Sequence, residues 1–328
     1  MVATPTTPAA PATPAAPAGR PPPRLPPALT GQRFEFDSIA GRISCYADGP
    51  QVSSLPPLLL VHTVNAAASA AEVRPIYEHA RGTRPVYALD LPGYAFSERS
   101  DRAYTPRLMT DALHATVAQI QADHGAGPVD VLGASLGCEF VARLAVEAPA
   151  TVRRIALVSP TGFRGRKQRR GPPGSVIGPA WVGTLLRGPG KGPGRGSGWG
   201  AGLFRGLTRP DVIRYFLGRT WGSKNIDEAL WRYDIISSHQ PGAEHAPLCF
   251  LAAAMFSADI TTLYEGLNQP VWMTHGTRGD FTDYRGTFVV SGRSNWRIEV
   301  YDPAGALPYF EQPQRFGAAL DRFLDAPG

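Results

Sequence analysis

Between residues 34 and 324 the chain alternates short apolar runs with amphipathic stretches. Phe34-Glu35-Phe36-Asp37 and Gly41-Arg42-Ile43-Ser44-Cys45-Tyr46 alternate with period two, which predicts an opening antiparallel pair. Residues 58–62, 85–90, 128–132 and 154–159 read differently: each is dominated by an apolar run, as expected of parallel strands buried on both faces, and 270–274 and 296–300 read as two more strands. Helical stretches separate them at 68–81, from Thr105 (N-cap, with Pro106 behind it) to about Gly125, from Cys138 onward, and at 314–324. Strands alternating with helices predict an α/β fold: a mostly parallel, doubly wound sheet.

Two segments break the rhythm. Residues 1–30 are Pro, Ala and Thr with ten prolines, which predicts a disordered, partly polyproline tail without the charged start and apolar centre of a secretory signal. Residues 160–206 are dominated by Gly, Pro and Arg and read as a flexible excursion. Two aromatic-rich helices follow, opened by Thr208-Arg209-Pro210-Asp211 and Asn225-Ile226-Asp227-Glu228, and another helical stretch lies at 260–266. The predicted division is a tail (1–30), a core (31–160 and 267–328) and an inserted basic loop with a helical cap (161–266).

Composition changes this picture little. The net charge of +6 is local: nine Lys or Arg and no acid lie between Phe163 and Gly206. A solvated loop is the plain reading; attraction to an anionic substrate or anionic lipid is the functional one, and no nucleic-acid partner is expected. No apolar run approaches the ~18 residues of a membrane helix. Cys45, Cys138 and Cys249 form no CxxC pair, so they read as reduced thiols of a cytoplasmic protein. No histidine or cysteine spacing suggests a metal, and no cofactor is expected.

Chemistry concentrates at Gly133-Ala134-Ser135-Leu136-Gly137. A G-x-S-x-G between an apolar strand and a helix is a nucleophile elbow: the glycines permit a reversal tight enough to strain the serine and project its hydroxyl above a helix N-terminus.

The order of the remaining motifs resembles the α/β-hydrolase superfamily over residues 34–328, most of all its capped, serine-nucleophile branch of C–C-bond hydrolases and esterases. The matching pieces are a strand ending in His62, Leu89-Asp90-Leu91-Pro92-Gly93-Tyr94, the elbow, a cap, His275-Gly276-Thr277-Arg278-Gly279-Asp280 and Gly305-Ala306-Leu307-Pro308-Tyr309-Phe310-Glu311. The resemblance implies Ser135 as nucleophile, Asp280 as orienting acid (with Asp283 as competitor), and the Leu136 and Val64 N–H groups as oxyanion donors. It implies a small-molecule substrate.

Two positions depart from the pattern. The usual His-Gly is His62-Thr63-Val64-Asn65, so the oxyanion loop should be shaped differently and the Asn65 amide becomes a candidate donor. The family's general base is a histidine at the position of Ala306, and no histidine lies C-terminal to His275. The candidate substitutes, as base or substrate ligand, are His245, His239, His62 and His275, the last two also reading as satisfied core histidines. Cys138 reads as a buried filler, and Glu139 and Glu311 as structural. Two functions stay open: a hydrolase of an ester, thioester or C–C bond with an unconventional base, or a non-hydrolytic binding protein, lyase or isomerase on the same fold.

Overall fold

In the computed structural model, which describes residues 23–50, 52–178 and 199–326, the apolar runs pair into one eight-stranded sheet. Its strands are β1 (Gln32–Ser38), β2 (Gly41–Asp48), β3 (Leu58–Val61), β4 (Val86–Asp90), β5 (Val129–Ala134), β6 (Val152–Val158), β7 (Val271–Gly276) and β8 (Trp296–Tyr301). Their spatial order is β1-β2-β4-β3-β5-β6-β7-β8, with β2 antiparallel to β1 and β4 and every other pair parallel.

Alternation within the runs explains why they are apolar throughout. Leu59 and Val61 enter one core and Leu58 and Leu60 the other; Val129 and Val131 face the first, Leu132 and Ala134 the second. Three helices are α1 (Arg74–Ala80), α2 (Pro106–His124) and α3 (Gly137–Glu147). The insertion supplies α4 (Trp199–Leu207), α5 (Pro210–Trp221), α6 (Glu228–Ser238), α7 (His245–Leu251) and α8 (Ile260–Gly266), and the chain ends with α9 (Pro308–Glu311) and α10 (Pro313–Leu324). Side chains of α2, α3 and α8 fill the first core; those of α1 and α10, with Ile213, Leu217 and Trp221 of α5 and Leu230 of α6, fill the second.

Several expectations change. The predicted tail is ordered from residue 23: Leu25 and Leu29 are buried in the second core, and Ala28 N–H donates to Tyr46 Oη at 3.0 Å. Residues 1–22 lie outside the described residues. The excursion after β6 is likewise anchored through residue 178. Gly171 N–H and Ala258 O, Ala258 N–H and Ser175 O, and Ile177 N–H and Phe256 O pair at 2.8–3.0 Å, a short antiparallel strap centred on a Val176–Ser257 bridge. Residues 179–198 lie outside the description.

Thr105 caps α2 as read, accepting from Leu108 N–H at 3.2 Å. The inserted helices start elsewhere: α5 at Pro210 after Arg209, because the Thr208 hydroxyl bonds back to Phe204 O, and α6 after Asp227, which accepts from Leu230 N–H. Among the described residues no helix is long and apolar enough to cross a membrane.

Candidate active site

Strand β5 ends at Ala134 and α3 begins at Gly137, so Ser135 and Leu136 alone reverse the chain. Ser135 has φ +51°, a left-handed conformation costing a non-glycine residue on the order of 1–3 kcal/mol. Neighbouring bonds hold it there. Ser135 N–H donates to Val158 O at 2.8 Å, and Cys138 N–H donates to Ser135 O at 3.1 Å. The flanking glycines are required by space: a Cβ on Gly133 would sit 3.0 Å from Cys138 Cα, and one on Gly137 would sit 2.4 Å from His62 O. Ser135 is half-buried, and among the described residues its hydroxyl makes no hydrogen bond. Cys138 is the filler expected of it; its thiol is raised by burial and donates to Gly133 O at 3.1 Å.

The close approach of Gly137 to His62 O brings the elbow against the loop after β3. Here two buried backbone donors, Leu136 N–H and Val64 N–H, have no acceptor among the described residues. Free N–H groups beside a strained serine, at the start of an eleven-residue helix, form the arrangement that receives developing negative charge.

Glu72 braces the loop. Its carboxylate accepts from Thr63 N–H at 3.0 Å, from the Thr63 hydroxyl at 2.7 Å and from Asn65 Nδ2 at 2.7 Å. Burial pushes Glu72 up to about 7, while these three bonds pull it down. Asn65 Oδ1 accepts from Ala67 N–H at 2.7 Å, so both ends of the amide are spent within the loop. This corrects the expectation of Asn65 as an oxyanion donor.

The imidazoles are committed elsewhere. Leu91 N–H donates to His62 Nε2 at 2.9 Å, which places the proton on Nδ1, where it meets Thr63 O at 2.5 Å. Burial pushes this ring down to about 4, so it is neutral and fixed. His275 bonds Gly276 O through Nδ1 at 2.9 Å and stacks on Tyr284 at 4.0 Å. His239 is exposed and bonds Ile235 O at 2.7 Å; His245 lies between Asp101 and Glu244 at 3.7 and 3.9 Å. The other three of the seven histidines pair with Asp321, Glu147 and the Tyr87 hydroxyl. None of the four candidates bonds Ser135.

Ala306 is held by backbone bonds on both sides. Its N–H donates to Thr220 O at 2.9 Å, its carbonyl accepts from Ser159 Oγ at 2.6 Å, and Glu311 Oε1 accepts from Gly305 N–H at 2.6 Å. Ser159 directly follows Val158, the acceptor for Ser135 N–H, so position 306 is tied to the elbow through two consecutive residues. Asp280 is turned outward. Its carboxylate is exposed and paired with Arg219 of α5 at 2.6 Å, so it joins the β7 loop to that inserted helix and orients no imidazole. The competitor Asp283 accepts from Gly165 N–H and pairs with Arg285.

Sequence reading missed three groups that surround Glu72. Asp234 of α6 is 2% exposed, and burial together with the Glu72 charge holds its carboxyl well above the usual range. Its Oδ1 has no partner, nor do the buried hydroxyls of Tyr94 and Tyr309, which the same charge also raises after burial. The two tyrosine hydroxyls, pushed up from an ordinary value of about 10, are neutral donors at pH 7. Asp234 lies in no motif, and Tyr94 and Tyr309 end or fall within quoted motifs whose spacing does not mark them as unpartnered hydroxyls.

Glu139, one turn into α3, ties the elbow helix to the strap: its carboxylate accepts from the Thr161 hydroxyl at 2.6 Å and from Ser257 N–H at 2.7 Å. Burial pushes it up to about 7, against about 4.3 in an unfolded chain. The folded state therefore keeps this proton longer, and the resulting stability is complete below about pH 4.3 and lost as pH rises through 7. The melting temperature should fall between pH 5 and 8, and Glu139→Gln, whose amide satisfies both partners, should reduce that fall. An identical pH slope in the variant would contradict the assignment.

Residues 56–176, from the segment before β3 to the strap, match the family model described as alpha/beta hydrolase fold. A segment of 81 residues is 41% identical to the dihydrolipoyllysine-residue acetyltransferase component of an acetoin-cleaving system from Cupriavidus necator; it covers 24% of this chain and 20% of that protein, so the chain spans about one fifth of that relative. Among solved structures, a carboxylesterase from Bacillus subtilis is similar at TM-score 0.63 and 17% identity, covering 91% of this chain and 93% of that one. An enol-lactonase from Burkholderia xenovorans gives 0.65 and 16%, covering 89% and 100%. The 2-hydroxy-6-oxo-6-phenylhexa-2,4-dienoate hydrolase of a Rhodococcus species gives 0.66 and 17%, covering 90% and 100%. With the sheet order, the elbow and the matched segment in agreement, the chain is a protein of the α/β-hydrolase fold.

Proposed function

We propose that this chain is a slow hydrolase that opens an ester, thioester or C–C bond of a mainly apolar small molecule, with Ser135 as nucleophile. One observation carries the reading: a serine strained to φ +51° lies beside two buried, uncommitted N–H groups, Leu136 and Val64. Ser135 Oγ attacks the carbonyl carbon, and the displaced electron pair moves to the carbonyl oxygen, which the two N–H groups receive. Each such donor contributes about 10²–10³ in rate. As the intermediate collapses, the bond to the leaving group breaks and the Ser135 hydroxyl proton goes to that group; water then adds to the acyl carbon, returns one proton to Ser135 Oγ and releases the acid. Similarity to esterases and a C–C-bond hydrolase supports the class of reaction. The buried, unpartnered hydroxyls of Tyr94 and Tyr309 favour a substrate that carries a hydrogen-bond-accepting oxygen.

The reaction is slow because no imidazole takes the Ser135 proton. Elbow and oxyanion donors without a complete triad retain about 10³–10⁴-fold catalysis over water. A fluorophosphonate probe should label Ser135 sluggishly, and Ser135→Ala should not be labelled at all. A wild-type protein that stays unlabelled after prolonged exposure removes the reading. The commitment of all seven histidines favours a second one, a ligand-binding protein on a hydrolase frame, which predicts that outcome.

A further inference from the structure

We propose that the rim formed by residues 164–167 and 281–288 docks onto anionic membrane lipid. Two bonds bring these segments together: Gly165 N–H donates to Asp283 Oδ2 at 3.1 Å, and Gly286 N–H donates to Phe163 O at 2.8 Å. They follow β6 and β7, strands parallel to β5, and so lie at the same end of the sheet as Ser135. Arg164, Arg166 and Lys167 are exposed and make no ion pair among the described residues. The nearby acids are neutralised, Asp283 by Arg285 at 2.8 Å and Asp280 by Arg219 at 2.6 Å. The rim therefore keeps three uncompensated positive charges.

Beside them, Phe281 is 49% exposed and Phe288 51% exposed. Apolar rings with no polar handle next to unpaired cations match an anionic bilayer, where headgroup charge meets acyl chains. Docking in this orientation would present the Ser135 end of the sheet to the lipid layer, where apolar substrates reside.

The test is co-sedimentation of the full chain with phosphatidylcholine vesicles, with and without phosphatidylglycerol. Binding should require phosphatidylglycerol and weaken with salt. Each Lys or Arg near such a surface strengthens binding about fivefold, so the triple variant Arg164→Ser/Arg166→Ser/Lys167→Ser should bind about 100-fold more weakly. Phe281→Ser/Phe288→Ser should leave only a weaker, fully salt-sensitive attachment. All five positions are exposed or on the rim, and unchanged melting temperatures verify the folds. The proposal is overturned if the wild type ignores anionic vesicles, if it binds neutral ones equally, or if the triple variant binds undiminished. Binding to single-stranded DNA without binding to vesicles overturns it too.

Discussion

Ala306→His should raise ester hydrolysis by about 10²–10³-fold, measured as kcat/KM on p-nitrophenyl acetate. A positioned general base contributes about 10²–10⁴. The backbone at 306 is already fixed from both sides, by Thr220 O on its N–H and Ser159 Oγ on its carbonyl, and Ser159 adjoins the residue that holds Ser135. A side chain added there starts from a defined origin beside the elbow. The gain stays in the lower part of the range because the Asp280 carboxylate is bound to Arg219 and cannot orient the new ring. The variant should also acquire a pH limb near the ordinary histidine value of about 6.5, absent from the parent. Ala306→Gln, similar in bulk but unable to take a proton, should show neither effect. A parent already as fast as an ordinary esterase, and no faster with the imidazole added, would mean that another group accepts the serine proton.

What the chain declared in advance follows from its physics. Parallel strands bury both faces, so β3 appears as an unbroken apolar run and β5 and β6 as apolar runs broken by Asp130 and by Arg153 and Arg154, and the elbow shows because space is tight at 133 and closed to a Cβ at 137. Residues 160–178 stayed opaque for the opposite reason. Their strap is made by backbone groups, which impose no side-chain period, and Gly/Pro/Arg composition resembles that of a free loop. Leu25 and Leu29 are two apolar residues among prolines, too few to mark an ordered segment. Glu72 is a single carboxylate in an alanine-rich stretch, and its role arises only when the fold lays it against Thr63 and Asn65. His62 and His275 look like chemistry in sequence; in the fold each is spent on backbone carbonyls at strand ends. Asp280 sits at the expected place in the motif order, yet Arg219, contributed by the inserted cap, draws it outward, and no local pattern records that pairing.

Gly137→Ala should lower Ser135 labelling by about 10²-fold and destabilise the fold by about 1–3 kcal/mol. The new methyl would meet His62 O at 2.4 Å, Val61 Cγ1 at 3.2 Å and Val61 O at 3.3 Å. Two of these three atoms are backbone, and His62 cannot swing aside because both its ring nitrogens are bonded, to Leu91 N–H and Thr63 O. Relief must come from separating the elbow and the β3 loop by roughly 1 Å, the scale of misplacement that costs 10²-fold in a positioned site. That movement pulls Leu136 N–H away from Val64 N–H while leaving Ser135 present. Loss of labelling in a variant that melts cooperatively, only a few degrees below wild type, would show that the two donors act as a pair. Ala at the neighbouring Gly133 meets Cys138 Cα at 3.0 Å, a milder contact, and should cost less in both readouts. The reverse ranking would place the sensitivity in the strand and not in the seam between elbow and loop.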